Sequence, residues 1–377
     1  MCGIIGYTGP RDCVPILLEG LRRLEYRGYD SAGLALVKDS GLEVLKDVGK
    51  IDALQTLVDE LHPSACFGIA HTRWATHGEP NKSNAHPHTD TRGHFAVVHN
   101  GIIENCDSLR ESLRAKGYRF TSETDTEVLA HLINEYWDGS LEKAVASALR
   151  LVTGTYGIAV VTDLEPGKIV GARKGSPLLI GVGEGENFVA SGVSAILAHT
   201  KHVVYLGDEE MAILTPRGYR TQTLNEIPVN RQVEEITWEL SEIEKGGYAH
   251  FMLKEIHEQP RCIQNATRGR IVESDADSHL GGLNLTVEEL RAFDRIILTA
   301  CGTSWHAAMI GEYMLEEYAR IPVEVEYASE FRYRNPVIDR RTLVVAISQS
   351  GETADTLAAV KEAKKRGATV LGICNVV

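Results

Sequence analysis

The first ten residues, MCGIIGYTGP (1–10), place a cysteine directly behind the initiator methionine and follow it with an apolar run between glycines. Such a short run, GIIGYTG, is typical of a β-strand. Similar runs recur before about residue 220: GLALVK, FGIAHTRWAT, HFAVVHNGII, YGIAVVTDL, KIVGARKG, LLIGVG and NFVAS. Helical patterns are interposed near 14–26, 107–116 and 126–136. Strands in clusters with helices between them predict an α+β layered domain over residues 2–220.

The composition changes after this domain. Residues 221–285 are charged, poor in strand patterns and end in the loop-like ESDADSHLGG, which predicts a linker with a helix. Two strand–turn–helix patterns follow, DRIILTACGTSWHAAMIGEYMLEEYA and RTLVVAISQSGETADTLAAVKEAKKRG, and then the strand-like ATVLGICNVV. This alternation predicts an α/β doubly wound parallel sheet over 286–377. Because the pattern stops on a strand of buried type, we expect this domain to be incomplete at Val377.

Composition and charge exclude several classes of partner. Lys and Arg number 39 against 52 Asp and Glu, so the net charge is −13. This excess of negative charge argues against binding to nucleic acid or to anionic lipid surfaces. No apolar run approaches the ~20 residues of a membrane helix, and the N-terminus lacks a signal-peptide pattern. We therefore expect a cytoplasmic protein with no membrane partner.

The cysteines and histidines do not predict a metal or a disulfide framework. The seven cysteines are scattered and never form a C-x-x-C pair, and most are expected to be buried apolar residues. His86 and His88 flank Pro87, with no helical histidine pair beside them. We expect no metal site and no cofactor.

Cys2 has two interpretations. A small second residue can simply permit removal of the initiator methionine. Alternatively, a trimmed Cys2 supplies a nucleophile together with the free α-amine that activates it. The choice depends on whether other residues form a substrate pocket.

Three other segments offer residues for such a pocket, and each also has a purely structural interpretation. Arg73 ends an apolar strand pattern, where its guanidinium could bind a carboxylate in bidentate fashion or form a surface salt bridge. Asn100 and Gly101 are predicted to form a tight hairpin turn, yet they also offer the two donors of an oxyanion hole. Ser122 and Asp125 fit a helix capping box, while Asp125 could also bind the ammonium of an amino acid.

Six segments together resemble the glutaminase domain of the class II, or N-terminal nucleophile, glutamine amidotransferases. They are CGIIG (2–6), RRLEYRGYDSAG (22–33), HTRWATHGEPN (71–81), NAHPH (84–88), HNGIIEN (99–105) and SETDTE (122–127). The resemblance implies a four-layer αββα fold in which Cys2 attacks the side-chain amide of glutamine. It implies that Asn100 and Gly101 stabilise the oxyanion.

The same resemblance assigns the glutamine pocket. It implies that Arg73 binds the α-carboxylate of glutamine and that Asp125 binds its α-ammonium. Thr76 and His77 would line the same pocket. Trp74 would either gate the passage of ammonia or pack as a buried side chain.

The second domain carries hydroxyl-rich turns at the starts of two predicted helices. Their residues are Thr303, Ser304, Ser348, Gln349, Ser350 and Thr353. Hydroxyls and free backbone N–H groups at helix N-termini can bind an anion, although Ser and Thr also serve as ordinary N-caps. The turns resemble those of the sugar isomerase (SIS) domain, where these positions hold a hexose 6-phosphate.

Together the two domains resemble enzymes that transfer amide nitrogen from glutamine to fructose 6-phosphate, forming glucosamine 6-phosphate and glutamate. The resemblance runs through all 377 residues. It implies a homodimer at full length, and a second SIS half and a tail after Val377 that supply the isomerase residues.

Three rival functions remain open at this point. Amidophosphoribosyltransferase and asparagine synthetase share the first domain, but their phosphoribosyl site and S-G-G-x-D-S ATP loop are not found in the sequence. A non-catalytic sugar-phosphate sensor would use SIS domains for binding only, and the glutamine pocket argues against it.

Overall fold

The computed structural model describes residues 2–75, 77–237, 245–272, 277–278, 280, 282–283, 285–351 and 353–375. The chain divides into two compact units, Met1–Glu244 and Lys245–Val377. The domain boundaries expected from the sequence, at 220 and 285, stay predictions. Over the described ranges, no helix combines the length and the apolar character needed to span a bilayer.

The first unit contains strands from two sheets and the helices that cover them. The described strands are β1 (Gly3–Thr8), β2 (Ser31–Lys38), β3 (Gly41–Val48), β4 (Phe67–Arg73), β5 (His88–Thr89), β6 (Phe95–Ile103), β7 (Gly154–Thr162), β8 (Ile169–Lys174), β9 (Leu179–Val182), β10 (Asn187–Ala190), β11 (His202–Tyr205), β12 (Glu210–Thr215), β13 (Gly218–Thr223) and β14 (Glu234–Glu235). The described helices are α1 (Cys13–Leu24), α2 (Ile51–Leu61), α3 (Cys106–Ala115), α4 (Glu127–Glu135) and α5 (Leu141–Leu149).

The two sheets pack face to face between two helical layers. Their strand orders are β14-β11-β9-β10-β1-β4-β2-β3 and β13-β12-β8-β7-β6-β5. Ile4, Val98 and Val161 belong to the apolar core between the sheets. Helices α1 and α2 share a core with the first sheet, and α4 and α5 share one with the second. This arrangement is the four-layer αββα fold, so the fold expected from the resemblance is confirmed.

Strand β1 lies in the middle of the first sheet, between β10 and β4. It is buried along its whole length: Ile4 faces the other sheet, and Ile5 and Tyr7 face the α1 side. The pairing with β4 is antiparallel, with Gly3 opposite Thr72. Cys2 therefore lies at the end of the sheet where β4 finishes.

The three helices predicted in this unit are present, with slightly different bounds. Helices α2 and α5 were not predicted from the sequence. In α2 the buried residues Ile51, Leu54 and Val58 follow helical spacing, and this periodicity was the signal available for it. In α5 the buried residues Leu141, Ala144, Val145 and Ala148 also follow helical spacing, so the same signal was available for it.

The capping box predicted for Ser122 and Asp125 is wrong. Helix α4 begins at Glu127, and its N-cap residue Thr126 makes no side-chain capping bond. The backbone N–H and hydroxyl of Ser122 each donate to Glu127 Oε2 at 2.7 Å, and those of Thr121 donate to Oε1 at 2.8 and 2.9 Å. The buried Glu127 carboxylate thus anchors the preceding loop, which carries Asp125.

The second unit contains a four-stranded parallel sheet in the order β18-β17-β19-β20. Its described elements are α6 (Phe251–Thr267), β15 (Ile271–Val272), β16 (Asp277–Ser278), α7 (Val287–Arg291), β17 (Arg295–Ala300), α8 (Thr303–Ala319), β18 (Val323–Tyr327), α9 (Ala328–Tyr333), β19 (Thr342–Ser348), α10 (Ala354–Lys365) and β20 (Thr369–Cys374). Strands β15 and β16 form a separate antiparallel pair. The predicted doubly wound parallel sheet is confirmed.

Replacing Glu127 by Gln should destabilise the first unit. Burial raises the pKa of Glu127, but His131, 3.7 Å from Oε1, and the donors of Ser122 and Thr121 outweigh burial and hold it at about 2. We expect a loss of about 1–3 kcal/mol at neutral pH, because a Gln amide cannot accept all these bonds.

Acid should remove that difference. Because the folded pKa lies below the ordinary 4.5, the stabilisation is fully present above pH 4.5 and is lost as the pH falls towards 2. Urea unfolding of both proteins between pH 7 and pH 3 measures this. The exposed Glu111→Gln is the control. A gap that stays constant across this range would contradict the assignment.

Candidate active site

Two segments that are distant in the sequence contact Cys2. The backbone N–H of Trp74 donates to Cys2 Sγ at 3.2 Å, and Asn100 Nδ2 donates to the Cys2 carbonyl at 3.0 Å. Burial raises the pKa of the Cys2 thiol, although the bond from Trp74 opposes this. The thiol is therefore protonated at neutral pH, so a base must take its proton before it can act as a nucleophile.

Arg73 ends β4, as predicted, but it is only 3% exposed. The surface salt-bridge interpretation is therefore wrong. Its Nη2 donates to the carbonyls of His77 and Gly78, and its Nη1 lies 4.0 Å from Asp30. Nη1 is buried and makes no hydrogen bond within the described ranges. A buried guanidinium with an unused donor can bind a carboxylate.

Asp30 was not assigned a role by the sequence analysis. Its Oδ1 accepts from the Ser31 hydroxyl at 2.8 Å, and its Oδ2 accepts from the Ala75 backbone N–H. Its own backbone N–H donates to the Arg73 carbonyl at 3.1 Å. Asp30 thus fixes the segment that follows β4. The only available signal was its place in the motif RGYDSAG.

Asn100 and Gly101 do not form the predicted hairpin turn. Both lie inside the continuous strand β6, opposite Gly157 and Tyr156 of β7. Asn100 is 8% exposed, and its Oδ1 lies 3.0 Å from His71 Nε2. The pairing of β6 with β7 continues through both residues and overrides the turn preference of an Asn-Gly pair.

Asp125 lies beside the end of β6. It is 5% exposed, and its Oδ2 accepts from the Ile103 backbone N–H at 2.8 Å. Oδ1 makes no hydrogen bond to any described residue, so it can accept one from a ligand.

The other residues predicted for this pocket differ in exposure. Trp74 is 48% exposed and packs edge-on against Tyr29, with ring centroids 5.4 Å apart, so the buried-packing interpretation is wrong. His77 is half-buried. Thr76 lies outside the described residues.

A cluster of buried histidines lies behind Asn100. It consists of His71, His86, His88 and His99. The rings of His71 and His86 lie 4.2 Å apart, and those of His86 and His88 lie 4.7 Å apart. Burial lowers the pKa of each ring. Throughout the part of the chain that the structure describes, no group of three His, Cys, Asp or Glu side chains could hold a metal ion.

Most of the cysteines were expected from the sequence to be buried, and the structure shows that this expectation is wrong. Cys13 is buried, Cys2, Cys106 and Cys301 are intermediate, and Cys66, Cys262 and Cys374 are exposed. Burial of a cysteine depends on which face of its element meets the core, and spacing alone does not determine this.

The hydroxyl-rich turns of the second unit follow two neighbouring strands. Strand β17 pairs in parallel with β19, with Ala300 opposite Ile347, so both turns lie at the carboxyl edge of the sheet. The connection after β17 leads to β18 on one side, and that after β19 leads to β20 on the other. In open α/β sheets, ligands bind where the strand order reverses in this way.

The structure does not support ordinary N-capping by these hydroxyls. Helix α8 has Gly302 at its N-cap, and the side chain of Thr353 makes no capping bond to α10. Ser348 Oγ instead accepts from the Gly351 backbone N–H at 3.1 Å. Thr303, Ser304, Ser348, Gln349, Ser350 and Thr353 are all at least partly exposed at this edge.

Comparison with known proteins gives matches in both units. A family model described as the glutamine amidotransferase domain matches residues 71–198, and one described as the SIS domain matches 289–377. The first unit thus contains a glutamine amidotransferase domain, and the second contains a SIS domain. The family expected from the sequence motifs is confirmed.

Curated relatives of these amidotransferases match the whole chain. It is 54% identical to a glutamine–fructose-6-phosphate aminotransferase (isomerizing) of Chlorobaculum tepidum over 384 residues and 53% identical to one of Symbiobacterium thermophilum over 378 residues. Each alignment covers 100% of this chain and 62% of the relative. The chain thus spans less than two thirds of the length of these relatives.

A solved amidotransferase structure has a similar fold. It is the glutamine phosphoribosylpyrophosphate amidotransferase of B. subtilis, with a TM-score of 0.53 and 22% identity, and the match covers 99% of this chain and 81% of that one. At this identity the likeness concerns the fold alone.

Gly101→Ala should destabilise the amidotransferase unit. Gly101 has a φ of +141°, and a Cβ there would lie 2.1 Å from the Thr155 carbonyl oxygen of the neighbouring strand. Gly93 also has a positive φ, +75°, but no atom lies within 4 Å of a Cβ there. Gly93→Ala should therefore cost only the positive φ, about 1–2 kcal/mol, and Gly101→Ala should cost more. Urea unfolding compares the two variants, and equal losses would contradict the packing argument.

Proposed function

We propose that this chain hydrolyses glutamine at Cys2 and that the whole protein delivers the released ammonia to fructose 6-phosphate, forming glucosamine 6-phosphate and glutamate. One observation carries the proposal: β4 and β6 bring the buried Arg73 and the Asn100 amide to the residue that holds the thiol. The printed names of the curated relatives support the same reaction.

The first step is activation of the thiol. Removal of Met1 would leave Cys2 with a free α-amine, whose ordinary pKa is about 7.7–8.0. This amine takes the proton of the Cys2 thiol, and the sulfur attacks the amide carbon of glutamine. The raised pKa of the buried thiol makes such a base necessary.

The attack of the sulfur produces a tetrahedral intermediate, which forms and then collapses as follows. Asn100 Nδ2 and the Gly101 backbone N–H donate to the oxyanion while the carbon–sulfur bond forms. The α-amine passes its proton to the departing nitrogen, so ammonia is released. Cys2 then remains joined to the glutamyl group as a thioester. Water hydrolyses the thioester and releases glutamate.

Arg73 and Asp125 are proposed to hold the other end of glutamine. The unused Nη1 of Arg73 suits the α-carboxylate, and Oδ1 of Asp125 suits the α-ammonium. Thr76 and His77 are proposed to complete this pocket. The exposed position of Trp74 next to the thiol suits a gate on the ammonia path.

The second unit is proposed to bind the phosphate and hydroxyls of the sugar. The supporting observation is the strand-order reversal between β17 and β19, with partly exposed hydroxyls following both strands. The proposed ligands are Thr303, Ser304, Ser348, Gln349, Ser350 and Thr353. The sugar-phosphate sensor is disfavoured because the first unit carries buried polar groups, at Arg73, Asn100 and Asp125, that suit glutamine.

Cys2→Ala should abolish glutamate release from glutamine. Any residue retained ahead of Cys2 should do the same, because it converts the proposed base into an amide. A coupled glutamate dehydrogenase assay measures turnover, and mass spectrometry of the intact chain reports whether Met1 is present. Normal turnover by protein that still carries Met1 would contradict the mechanism. Cys66→Ala, at an exposed cysteine, is the matched control and should retain activity.

Arg73→Lys and Asn100→Ala should have different kinetic signatures. Lysine keeps the charge of Arg73 but loses the planar fork, so the KM for glutamine should rise roughly 10- to 100-fold with a smaller change in kcat. Asn100→Ala removes a donor to the oxyanion, so kcat should fall by ~10²–10³ with little change in KM. Steady-state kinetics of glutamate release separate these outcomes. A kcat within a few-fold of the unaltered chain for Asn100→Ala would exclude its oxyanion role.

A further inference from the structure

A histidine behind the proposed oxyanion hole has no role in the reaction described so far. His71 lies in β4, fully buried. Its Nε2 is 3.1 Å from the His99 carbonyl oxygen and 3.0 Å from Asn100 Oδ1. Both oxygens accept hydrogen bonds only, so Nε2 must carry a proton and donate to them.

The orientation of the Asn100 amide follows from its two neighbours. Its Nδ2 lies 3.0 Å from the Cys2 carbonyl oxygen, which also accepts only. If the amide were rotated by half a turn, Oδ1 would face that carbonyl and the NH₂ group would face the protonated Nε2 of His71. Both contacts would then be repulsive, so only the observed orientation is stable.

We propose that His71 is a positioning residue for glutamine hydrolysis: its Nε2–H holds the Asn100 side-chain oxygen and thereby keeps the Asn100 NH₂ group directed towards Cys2. This inference rests on the proposed function. His71 does not touch the substrate and acts through Asn100. One amide hydrogen bonds the Cys2 carbonyl, and the other remains for the oxyanion.

The surroundings of His71 keep its ring neutral and in one tautomer. Its Nδ1 is buried without a hydrogen-bond partner within the described ranges, so a proton there would be unsatisfied. The ring packs against that of His86 at a tilt of 32°, and the two strands that carry His71 and Asn100 belong to facing sheets. Burial lowers the pKa of His71 to about 3, so the ring stays neutral throughout the neutral range.

The test compares His71→Gln with His71→Met in the full chain. The two side chains have similar lengths, but only Gln places an N–H near the position of Nε2. We expect kcat for glutamate release to fall at least about tenfold in His71→Met, with KM within a few-fold, and to recover substantially in His71→Gln. Equal loss in both variants, or a change confined to KM, would overturn the proposal.

A double-mutant cycle separates action through Asn100 from general damage. In the Asn100→Ala background, His71→Met should cause little further loss of kcat, because the group it positions is already absent. Additive losses would overturn the proposal. The rate of Cys2 alkylation by iodoacetamide should stay near that of the unaltered chain in His71→Met, because alkylation forms no oxyanion. If Cys2→Ala still released glutamate, the proposed function would fail instead.

A direct measurement reads the state of the His71 ring in the unaltered chain and needs a variant only to assign the signal. ¹⁵N NMR of the histidine-labelled full chain, with the His71 ring assigned by its loss in His71→Gln, reports the tautomer. We expect a protonated Nε2 and a bare Nδ1 from pH 6 to pH 8. A bare Nε2, with the proton on Nδ1, would overturn the proposal.

Discussion

The antiparallel pairing of β1 with β4 is the constraint on which the candidate active site depends. It sets Gly3 opposite Thr72, so the residue before β1 and the residue that ends β4 lie side by side. Strand β1 is buried on both faces in the middle of its sheet, so a shift in register would expose its apolar side chains. The position of Cys2 beside Arg73 and Trp74 is therefore maintained by the core of the whole unit.

Burial makes polar groups costly in this site and also fixes their orientation. An unpaired buried donor or acceptor costs about 1–3 kcal/mol, so buried groups favour the arrangement that satisfies them. His71 Nε2 and the Asn100 amide follow this rule, since one arrangement of protons satisfies three oxygen acceptors around them. Arg73 Nη1 is an exception: it stays unsatisfied among the described residues, as expected of a group that binds a ligand. This unused donor is the reason for proposing that Arg73 binds the α-carboxylate of glutamine.

The second unit builds its candidate site from topology. Its parallel strands bring the turns after β17 and β19 to one edge, and their connections leave in opposite directions. Backbone N–H groups and hydroxyls of the two turns can therefore face the space between these turns. No lysine or arginine among the proposed ligands is needed for an anion to bind there.

The sequence by itself determined the strand and helix classes of most elements, the αββα class through its motifs and the parallel sheet of the second unit. It also placed Arg73 at a strand end and led to a prediction of which residues carry the chemistry. These features depend on local periodicity and on short motifs, which a sequence displays directly. Only the tertiary structure decided that Arg73 is buried, that Asn100 and Gly101 lie within a strand, and that Glu127 anchors its loop. The pairings of Asp30 with Ala75 and of His71 with Asn100 join segments far apart in the chain. Burial and hydrogen-bond partners arise from such pairings, which the packing of the two sheets determines and local spacing does not.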